Sequence, residues 1–297
     1  MSVGPRILIT GATGQLGWQL QRSFADAGEV IACDRNRLDL GDPEQIRNVV
    51  RAAKPDVILN AAAYTAVDRA ESEPDLATAI NAQGPGILAE EALRADALLV
   101  HYSTDYVFDG QKKDPWREDD QPRPLNLYGS SKLEGEGAIR AAGGKFLILR
   151  TSWVYGPTGK NFLLTMLRLG REKDSLSIVD DQIGAPTSTV ELSGATRSIV
   201  DGIRSGRYGS SHEWAGLYHM TCSGSVSWCG FATAIFKSAR SLMDGKSPSV
   251  VPIPSSQYPT PARRPHYSVL SNERLHQRFS IHLAPWEDAL DHVIQSL

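Results

Sequence analysis

The chain has 297 residues, with 41% hydrophobic and 22% charged content, which is ordinary for a soluble globular protein of one large domain or two intimate ones. A net charge of −3 and the lack of a basic block argue against a dedicated nucleic-acid binder. No apolar run approaches the roughly 18 residues of a membrane span, and the three cysteines form no Cys-x-x-Cys pair, so we expect a cytoplasmic protein without a membrane partner.

The first half of the chain alternates short apolar runs with helical patterns. Strands are predicted at Arg6–Thr10, Val30–Cys33, Val57–Asn60, Leu98–Ser103 and Phe146–Arg150. Helices are predicted at Gly14–Ala27, Pro43–Ala53, Leu76–Ala95 and Tyr128–Ala141. Continuous apolar strands that alternate with helices are typical of a parallel sheet covered on both faces, which predicts an α/β fold with a Rossmann-type doubly wound sheet over residues 1–155.

The second half follows a looser pattern. Helices are predicted at Asn161–Glu172, Val190–Ile203 and Trp228–Met243, between loops rich in Pro, Ser and Gly. We interpret residues 156–297 as a smaller substrate-binding lobe, with some segments returning to the sheet.

A glycine-rich turn follows the first predicted strand. Gly11, Gly14 and Gly17 stand between that strand and the first helix. Such glycines allow a tight turn, close approach of the backbone to a pyrophosphate, and close packing of helix on strand. The helix N-terminus favours negative charge, so the turn predicts a dinucleotide site. The alternative is a glycine-rich turn without a ligand.

Acidic and basic side chains follow the second predicted strand. Asp34 is placed to accept hydrogen bonds from the adenosine ribose of NAD, whereas Arg35 beside it can accommodate a 2′-phosphate. The sequence therefore does not decide whether the cofactor is NADH or NADPH. Asp39 and Leu40 are placed to reach an adenine edge, although a turn before the next helix explains them almost equally well.

Three alanines, Ala61–Ala63, follow the third predicted strand and precede Tyr64 and Thr65. Small residues at the carboxyl end of a strand allow close passage of a cofactor, because open α/β sheets bind ligands there. Tight packing against a neighbouring helix is the alternative for any one alanine.

A candidate catalytic group consists of Thr104, Tyr128 and Lys132. Tyr128 and Lys132 are four residues apart, so on a helix they share a face. An ammonium near a phenol lowers its pKa, which moves the tyrosine towards proton transfer at neutral pH. Thr104 comes at the end of the fourth predicted strand, where its hydroxyl can hydrogen-bond a substrate carbonyl.

In this order, the glycine turn, the hydroxyl at a strand end and Tyr-x-x-x-Lys resemble the extended short-chain dehydrogenase/reductase family. Further motifs resemble the members that reduce dTDP-linked 4-keto sugars. These motifs are Gly11–Gly17, Asn60–Asp68, Tyr102–Asp109, Arg150–Tyr155 and Asp181–Thr187.

The resemblance implies reduction of a dTDP-sugar by NADPH or NADH and assigns residues by position. It implies a catalytic triad of Thr104, Tyr128 and Lys132. The implied cofactor contacts are Gly14, Gln15, Leu16, Asp34, Asp39, Leu40, Ala63, Tyr64, Thr65, Tyr128 and Lys132. The implied substrate contacts are Thr104, Asp105, Trp153 and Arg264. An arginine such as Arg264 can bind a diphosphate through paired hydrogen bonds. The alternative is that its side chain is simply exposed to solvent.

The chain departs from the family pattern at two places. Some members form a dimer bridged by a metal that acidic residues hold, and one of those positions is Gln19 here, although Glu191 remains. We expect a homodimer without that metal. His266–Val269 replaces a segment that often contains an arginine. The seven histidines form no pattern typical of a catalytic metal, so none is expected.

Two alternatives stay open at this level. One is another sugar-nucleotide enzyme, an epimerase or a dehydratase, which usually keeps its cofactor bound and needs no external reductant. The other is a non-catalytic NADP-binding regulatory subunit of an S-adenosylmethionine synthetase, because such relatives can keep both Tyr128 and Lys132.

Overall fold

A computed structural model describes residues 4–243, 245 and 247–297. Its strands are β1 (Arg6–Thr10), β2 (Glu29–Cys33), β3 (Val57–Asn60), β4 (Leu98–Thr104), β5 (Lys145–Thr151), β6 (Val154–Tyr155), β7 (Ser175–Val179), β8 (Ile183–Gly184), β9 (Thr187–Ser188), β10 (Gly216–His219), β11 (Val226–Ser227) and β12 (Ser249–Ile253). Its helices are α1 (Gln15–Ser23), α2 (Pro43–Ala53), α3 (Val67–Ala70), α4 (Pro74–Thr78), α5 (Gly84–Arg94), α6 (Leu127–Ala142), α7 (Phe162–Glu172), α8 (Thr189–Arg204), α9 (Ser211–Trp214), α10 (Trp228–Ser238), α11 (Glu273–Phe279) and α12 (Trp286–Gln295).

The central sheet has six strands in the order β10-β5-β4-β3-β1-β2, and every neighbouring pair is parallel. The chain passes from β1 outward to β2 and then returns to β3 on the other side of β1. This reversal is the position at which open α/β sheets bind ligands, beyond the carboxyl ends of the strands. The predicted α/β class with a doubly wound parallel sheet is confirmed.

Both faces of the sheet are buried, because successive side chains of a strand point to opposite sides. In β1, Ile7 and Ile9 pack into one core with helices α1 and α8, whereas Leu8 packs into the opposite core with α2 and α5. The same alternation places Leu59 and Ile58 of β3 in different cores. The continuous apolar runs in the sequence are therefore strands with two covered faces.

Three predicted helices differ from the structure. The prediction Gly14–Ala27 is too long, because α1 ends at Ser23. The prediction Leu76–Ala95 is one helix, but the structure has α4 and α5 with a π-helical turn at Ala79–Gln83 between them. The prediction Trp228–Met243 is also too long, because α10 ends at Ser238 and a 3₁₀ turn follows at Arg240–Met243.

The second half of the chain contributes to the sheet and also has a core of its own. Strand β10 pairs with β5 and forms one edge of the sheet. Helices α7, α10 and α12 pack around a separate apolar cluster that includes Leu163, Phe231 and Val293. Strands β7 and β12 pair beside it in a small parallel sheet. No helix in the described ranges is long and apolar enough to cross a membrane.

Candidate active site

The glycine turn requires its glycines for steric reasons. Gly11 has φ +65°, and a Cβ there would lie 2.8 Å from the backbone of Ala62 on the adjacent strand end. A Cβ on Gly17 would lie 2.1 Å from the Gly11 carbonyl oxygen. The first turn of α1 therefore packs directly on β1 and leaves its N–H groups facing the end of the sheet, as phosphate binding requires.

A cavity of about 590 Å³ lies at the carboxyl ends of β1, β3 and β4. Most of the predicted cofactor residues meet here. Its walls include Gly11, Gly14, Gln15, Leu16, Arg35, Asp39, Leu40, Ala63, Tyr64, Thr65, Tyr128 and Lys132. Further lining residues that the sequence did not single out are Thr13, Asn60, Ser103, Thr151, Gly159 and Lys160.

Arg35 and Asp39 lie at one end of this cavity. The Arg35 guanidinium contacts the Asp39 carboxylate at 3.0 Å, and the Arg35 side chain is exposed. Asp34 is not among the described residues that line the cavity, and its Oδ1 accepts a hydrogen bond from the backbone N–H of Arg37 at 3.0 Å. The assignment of Asp34 to the adenosine ribose stays a prediction.

The π-helical turn supports the part of the cavity that Tyr64 lines. Asn81 lies in this turn, where its Oδ1 accepts from the Tyr64 N–H at 2.8 Å and its Nδ2 donates to the Tyr64 carbonyl at 3.0 Å. The same Nδ2 donates to Ser131 on α6 at 3.1 Å. Asn81 therefore fixes the alanine-rich segment against the helix that carries Tyr128, and a widened helical turn at a functional site is a familiar arrangement.

Helix α6 begins at a well-defined cap. The Asn126 side chain accepts from the Gly129 N–H at 2.8 Å, and the Glu71 carboxylate accepts from the Leu127 N–H, also at 2.8 Å. Asn126 also donates to the Arg263 carbonyl at 2.7 Å. These bonds satisfy amides at the start of the helix and fix the position of Tyr128 in its first turn.

The three predicted catalytic residues lie together. The Thr104 side chain is close enough to lower the pKa of Tyr128, and Tyr128 and Lys132 line the same cavity. The Thr104 hydroxyl donates to Asp105 Oδ1 at 3.0 Å and accepts from the Tyr106 N–H at 3.1 Å. In this structure the Thr104 proton points to Asp105, so it must turn away from that carboxylate before it can polarise a substrate oxygen.

The predicted lowering of the Tyr128 pKa by Lys132 is wrong, because the pKa is raised. Burial raises the pKa of Tyr128 to about 12, against a smaller lowering by the hydrogen bond with Thr104. The Lys132 Nζ donates to the Tyr102 carbonyl at 2.7 Å and contacts His101 Nε2 at 3.2 Å. Burial also lowers the pKa of Lys132 to about 8. In this arrangement Tyr128 is a protonated donor.

Asp105 is a buried carboxyl with an unsatisfied oxygen. Its side chain is 2% exposed, and among the described residues no partner bonds its Oδ2. Burial raises the pKa of Asp105 to about 6, although hydrogen bonds from Ser268 and Thr104 oppose this. A costly buried polar atom next to the catalytic hydroxyls is typical of a ligand contact.

We predict that Asp105→Asn stabilises the protein above pH 6. The pKa of Asp105 is higher in the folded state than in the unfolded state, so the folded state binds the proton more tightly. The free energy of unfolding therefore falls as the pH rises from about 4 to 6. A shift from 3.8 to about 6 corresponds to about 3 kcal/mol of lost stability. Denaturant unfolding at pH 8 is expected to show an increase of about 2 kcal/mol for the variant, which disappears near pH 4. Equal stability of the two proteins at both pH values would contradict this account.

Trp153 has a strained backbone and a stacked ring. Its φ is +47°, an unusual conformation for a bulky residue that typically costs about 1–3 kcal/mol. The indole stacks on Trp228 with the ring centroids 3.5 Å apart. Gly184 also packs against the indole, and a Cβ there would come within 2.4 Å of Trp153 Cε2. Trp228 and Gly184 hold the indole in one orientation, which suits a pocket wall.

Arg264 is paired and not free in solvent. Its guanidinium contacts the Asp68 carboxylate at 2.8 Å and hydrogen-bonds the Tyr106 hydroxyl. The Tyr106 ring in turn packs edge-on against Tyr128, with centroids 5.7 Å apart. Arg264 is therefore connected to the catalytic tyrosine through one aromatic residue. A diphosphate would have to share this guanidinium with Asp68.

The positions discussed for a dimer-bridging metal are separate from the cavity. Glu191 at the start of α8 accepts a hydrogen bond from the Ala284 N–H at 2.9 Å, and Gln19 lies on α1. In the described part of the chain, no group of three or more His, Cys, Asp or Glu side chains is arranged to hold a metal ion.

A glycine turn at the reversal point of a doubly wound sheet and a Tyr-x-x-x-Lys helix on the same cavity define an extended short-chain dehydrogenase/reductase. The family described as RmlD substrate binding domain matches residues 5–297. The chain belongs to this family, that of the dTDP-4-dehydrorhamnose reductases.

Relatives with this name resemble the chain over nearly its whole length. The dTDP-4-dehydrorhamnose reductase of Burkholderia thailandensis is 49% identical over 98% of this chain and 99% of that protein. The Escherichia coli K12 enzyme of the same name is 43% identical over 98% and 97%. A crystal structure of the Bacillus anthracis reductase in complex with NADP has a TM-score of 0.90 at 36% identity, covering 99% of this chain and 100% of that one.

Proposed function

We propose that this enzyme reduces the C4 carbonyl of dTDP-4-dehydro-β-L-rhamnose to give dTDP-L-rhamnose, the last step of dTDP-rhamnose synthesis. One observation carries the proposal: Tyr128 and Lys132, from one face of a helix, line the same cavity as the glycine turn. The relatives named dTDP-4-dehydrorhamnose reductase support the sugar nucleotide as substrate.

The cavity residues fit a nicotinamide dinucleotide. The close approach of Gly11 to Ala62 leaves backbone accessible where a pyrophosphate would lie, and Lys160 and Thr13 line the same wall. Arg35 at the far end would hold an adenosine phosphate, and Lys132 would bind the nicotinamide ribose. The reduced cofactor, NADPH or NADH, supplies the hydride when bound.

Tyr128 supplies the proton of the reduction. As the C4 carbonyl becomes an alkoxide, its oxygen takes the phenol proton, and Tyr128 is left as the phenolate. Thr104 donates to the same oxygen once its hydroxyl turns from Asp105. Asp105 then has a free carboxylate oxygen for a sugar hydroxyl, and Trp153 forms an apolar wall for the ring.

A spectrophotometric assay tests this proposal. We expect the dTDP-4-keto sugar to oxidise NADPH or NADH in a one-to-one ratio, with the two cofactors run in parallel. An epimerase or dehydratase would convert the sugar without net oxidation of added cofactor. A regulatory subunit would bind NADP and a synthetase in stoichiometric amounts but show no turnover, and either result would reject the proposal.

Arg35→Ala is expected to discriminate between the two cofactors. The Arg35 side chain is 70% exposed at the adenosine end of the cavity and can pair with a 2′-phosphate, which NADH lacks. We expect KM for NADPH to rise by about tenfold while KM for NADH stays unchanged, because a charge-assisted bond contributes about 1.5–3 kcal/mol. An equal rise for both cofactors would indicate a general role of Arg35 in shaping the cavity.

The other expectations stay predictions. They are a cytoplasmic enzyme, a homodimer without a bridging metal, and a division into a cofactor domain at 1–155 and a substrate lobe at 156–297.

A further inference from the structure

We propose that Lys160 binds the pyrophosphate of the nicotinamide dinucleotide and that the segment 156–161, which we call the strap, holds it there. The strap connects β6 with α7 and so belongs to the second half of the chain, yet Gly159 and Lys160 line the cofactor cavity. The Lys160 side chain is exposed and forms no ion pair with a described residue. The proposal rests on the proposed function only in that a nicotinamide dinucleotide occupies the cavity.

Gln15 ties the strap to the N-terminus of α1. Its Nε2 donates to the Lys160 carbonyl at 3.2 Å, and its Oε1 accepts from Asn161 Nδ2 at 2.9 Å. Gln15 is the first residue of α1, directly after Gly14 of the glycine turn. Gly159 packs on the same side chain, since a Cβ at this glycine would lie 2.8 Å from Gln15 Cγ. The strap therefore lies beside the helix N-terminus, where a glycine turn of this kind binds a pyrophosphate.

Asn161 closes the strap at its other end. Its Nδ2 also donates to the Gly156 carbonyl at 3.0 Å, and its Oδ1 accepts from the Leu164 N–H at 2.9 Å, which caps α7. One side chain thus bonds to Gln15, to the start of the strap and to the helix that follows it. Because the backbone of Lys160 is held in this way, only the freedom of its side chain is lost when its ammonium binds a phosphate.

The other charges of the cavity leave Lys160 as the cation for the pyrophosphate. Asp39 is the only acidic residue among the described residues that line the cavity, and it pairs with Arg35 at the adenosine end. The Lys132 Nζ is bonded to the Tyr102 carbonyl. The glycine turn itself offers backbone amides and a partial positive charge of about half a unit, whereas both phosphates of the pyrophosphate are negatively charged. An ammonium beside the turn adds a full positive charge and a charge-assisted hydrogen bond.

Lys160→Met tests this role, because methionine keeps an unbranched side chain but has no charge. The pyrophosphate is common to both cofactors, so we expect the Kd for NADPH and the Kd for NADH to rise by the same factor, about tenfold. The Kd for ADP-ribose should rise equally, whereas the Kd for 2′-AMP, which has a phosphate but no pyrophosphate, should not change. Lys160→Arg should keep most of the affinity. An unchanged Kd for both cofactors, or a rise for NADPH alone, would overturn the proposal.

A double-mutant cycle tests the strap. Gln15→Met keeps the length of the side chain and removes both of its hydrogen bonds to the strap, so Lys160 is no longer held beside the turn. We expect Gln15→Met to weaken the binding of NADPH, and the loss in Gln15→Met/Lys160→Met to be clearly smaller than the product of the two single losses. If the single losses simply multiply, Gln15 does not position Lys160, and the role of the strap is rejected.

Lys173→Met is the matched control. Lys173 is exposed at the other end of α7 and is not among the described residues that line the cavity, so this variant should bind NADPH as tightly as the parent. A parent that binds NADPH without reductase turnover would reject the proposed function and leave the role of Lys160 standing. A parent with turnover, together with an unchanged Kd in Lys160→Met, would reject the role of Lys160 alone.

Discussion

Tyr128→Phe is expected to lower kcat by at least about 10³-fold, because the phenol is the proton source for the new alkoxide and removal of such a group costs this much or more. Phenylalanine keeps the ring, including its edge-on contact with Tyr106. The binding constant for NADPH should therefore change little, and the loss should appear in kcat rather than in KM. Stopped-flow measurement of the reduction and fluorescence titration of NADPH separate these two quantities.

Tyr155→Phe is a suitable control for this variant. Tyr155 is 1% exposed, and no described residue bonds its hydroxyl, so the change removes a phenol of no catalytic use. We expect normal turnover and unchanged or slightly higher stability, since an unsatisfied buried hydroxyl is costly. Near-normal turnover of Tyr128→Phe would remove Tyr128 from the mechanism.

Gly17→Ala is expected to have the second largest effect. The added Cβ would lie 2.1 Å from the Gly11 carbonyl oxygen, so helix α1 must move away from the turn. Overpacking of this kind typically costs about 1–3 kcal/mol of unfolding free energy. Because the amides of α1 are displaced from the phosphate position, affinity for NADPH should also fall by at least about tenfold. Urea unfolding and cofactor titration measure the two losses.

Gly137→Ala is the matched change on another helix. Gly137 is exposed in the interior of α6, and no described atom lies within 4 Å of its added Cβ. Alanine should stabilise the helix by about 0.5–1 kcal/mol and leave cofactor affinity unchanged. If the two variants behave alike, the close packing at Gly17 is not what builds the phosphate site.

The strands of the sheet could be predicted because both of their faces are buried. Runs such as Ile7–Ile9 and Val57–Leu59 are apolar at every position, and the structure places their alternate side chains in opposite cores. Strand β10 was not predicted. Its partner is β5, some 70 residues earlier in the chain, and this long-range pairing leaves little local signal. Tertiary contacts also explain the π-helical turn, where Asn81 bonds to both Tyr64 and Ser131.

The residues of the site were easier to predict than their electrostatics. Tyr128, Lys132 and Thr104 could be found because their spacing and order are local features of the sequence. The direction of the Tyr128 pKa depends on burial, and the Lys132 Nζ bonds to the Tyr102 carbonyl of β4, so both depend on contacts between distant parts of the chain. Likewise, the positive φ of Trp153 and the pairing of Arg264 with Asp68 depend on distant parts of the chain.

Transfer of deuterium from the cofactor to the sugar tests whether the enzyme reduces the 4-keto group directly. The enzyme would be given the dTDP-4-keto sugar with NADPH that carries deuterium at C4 of the nicotinamide, on each face in turn, and the product would be examined by NMR and mass spectrometry. For direct reduction we expect one deuterium at C4 of the sugar for each cofactor oxidised, from one face only. A converted sugar without deuterium from either face, or with deuterium at another carbon, would contradict a direct reduction of the 4-keto group.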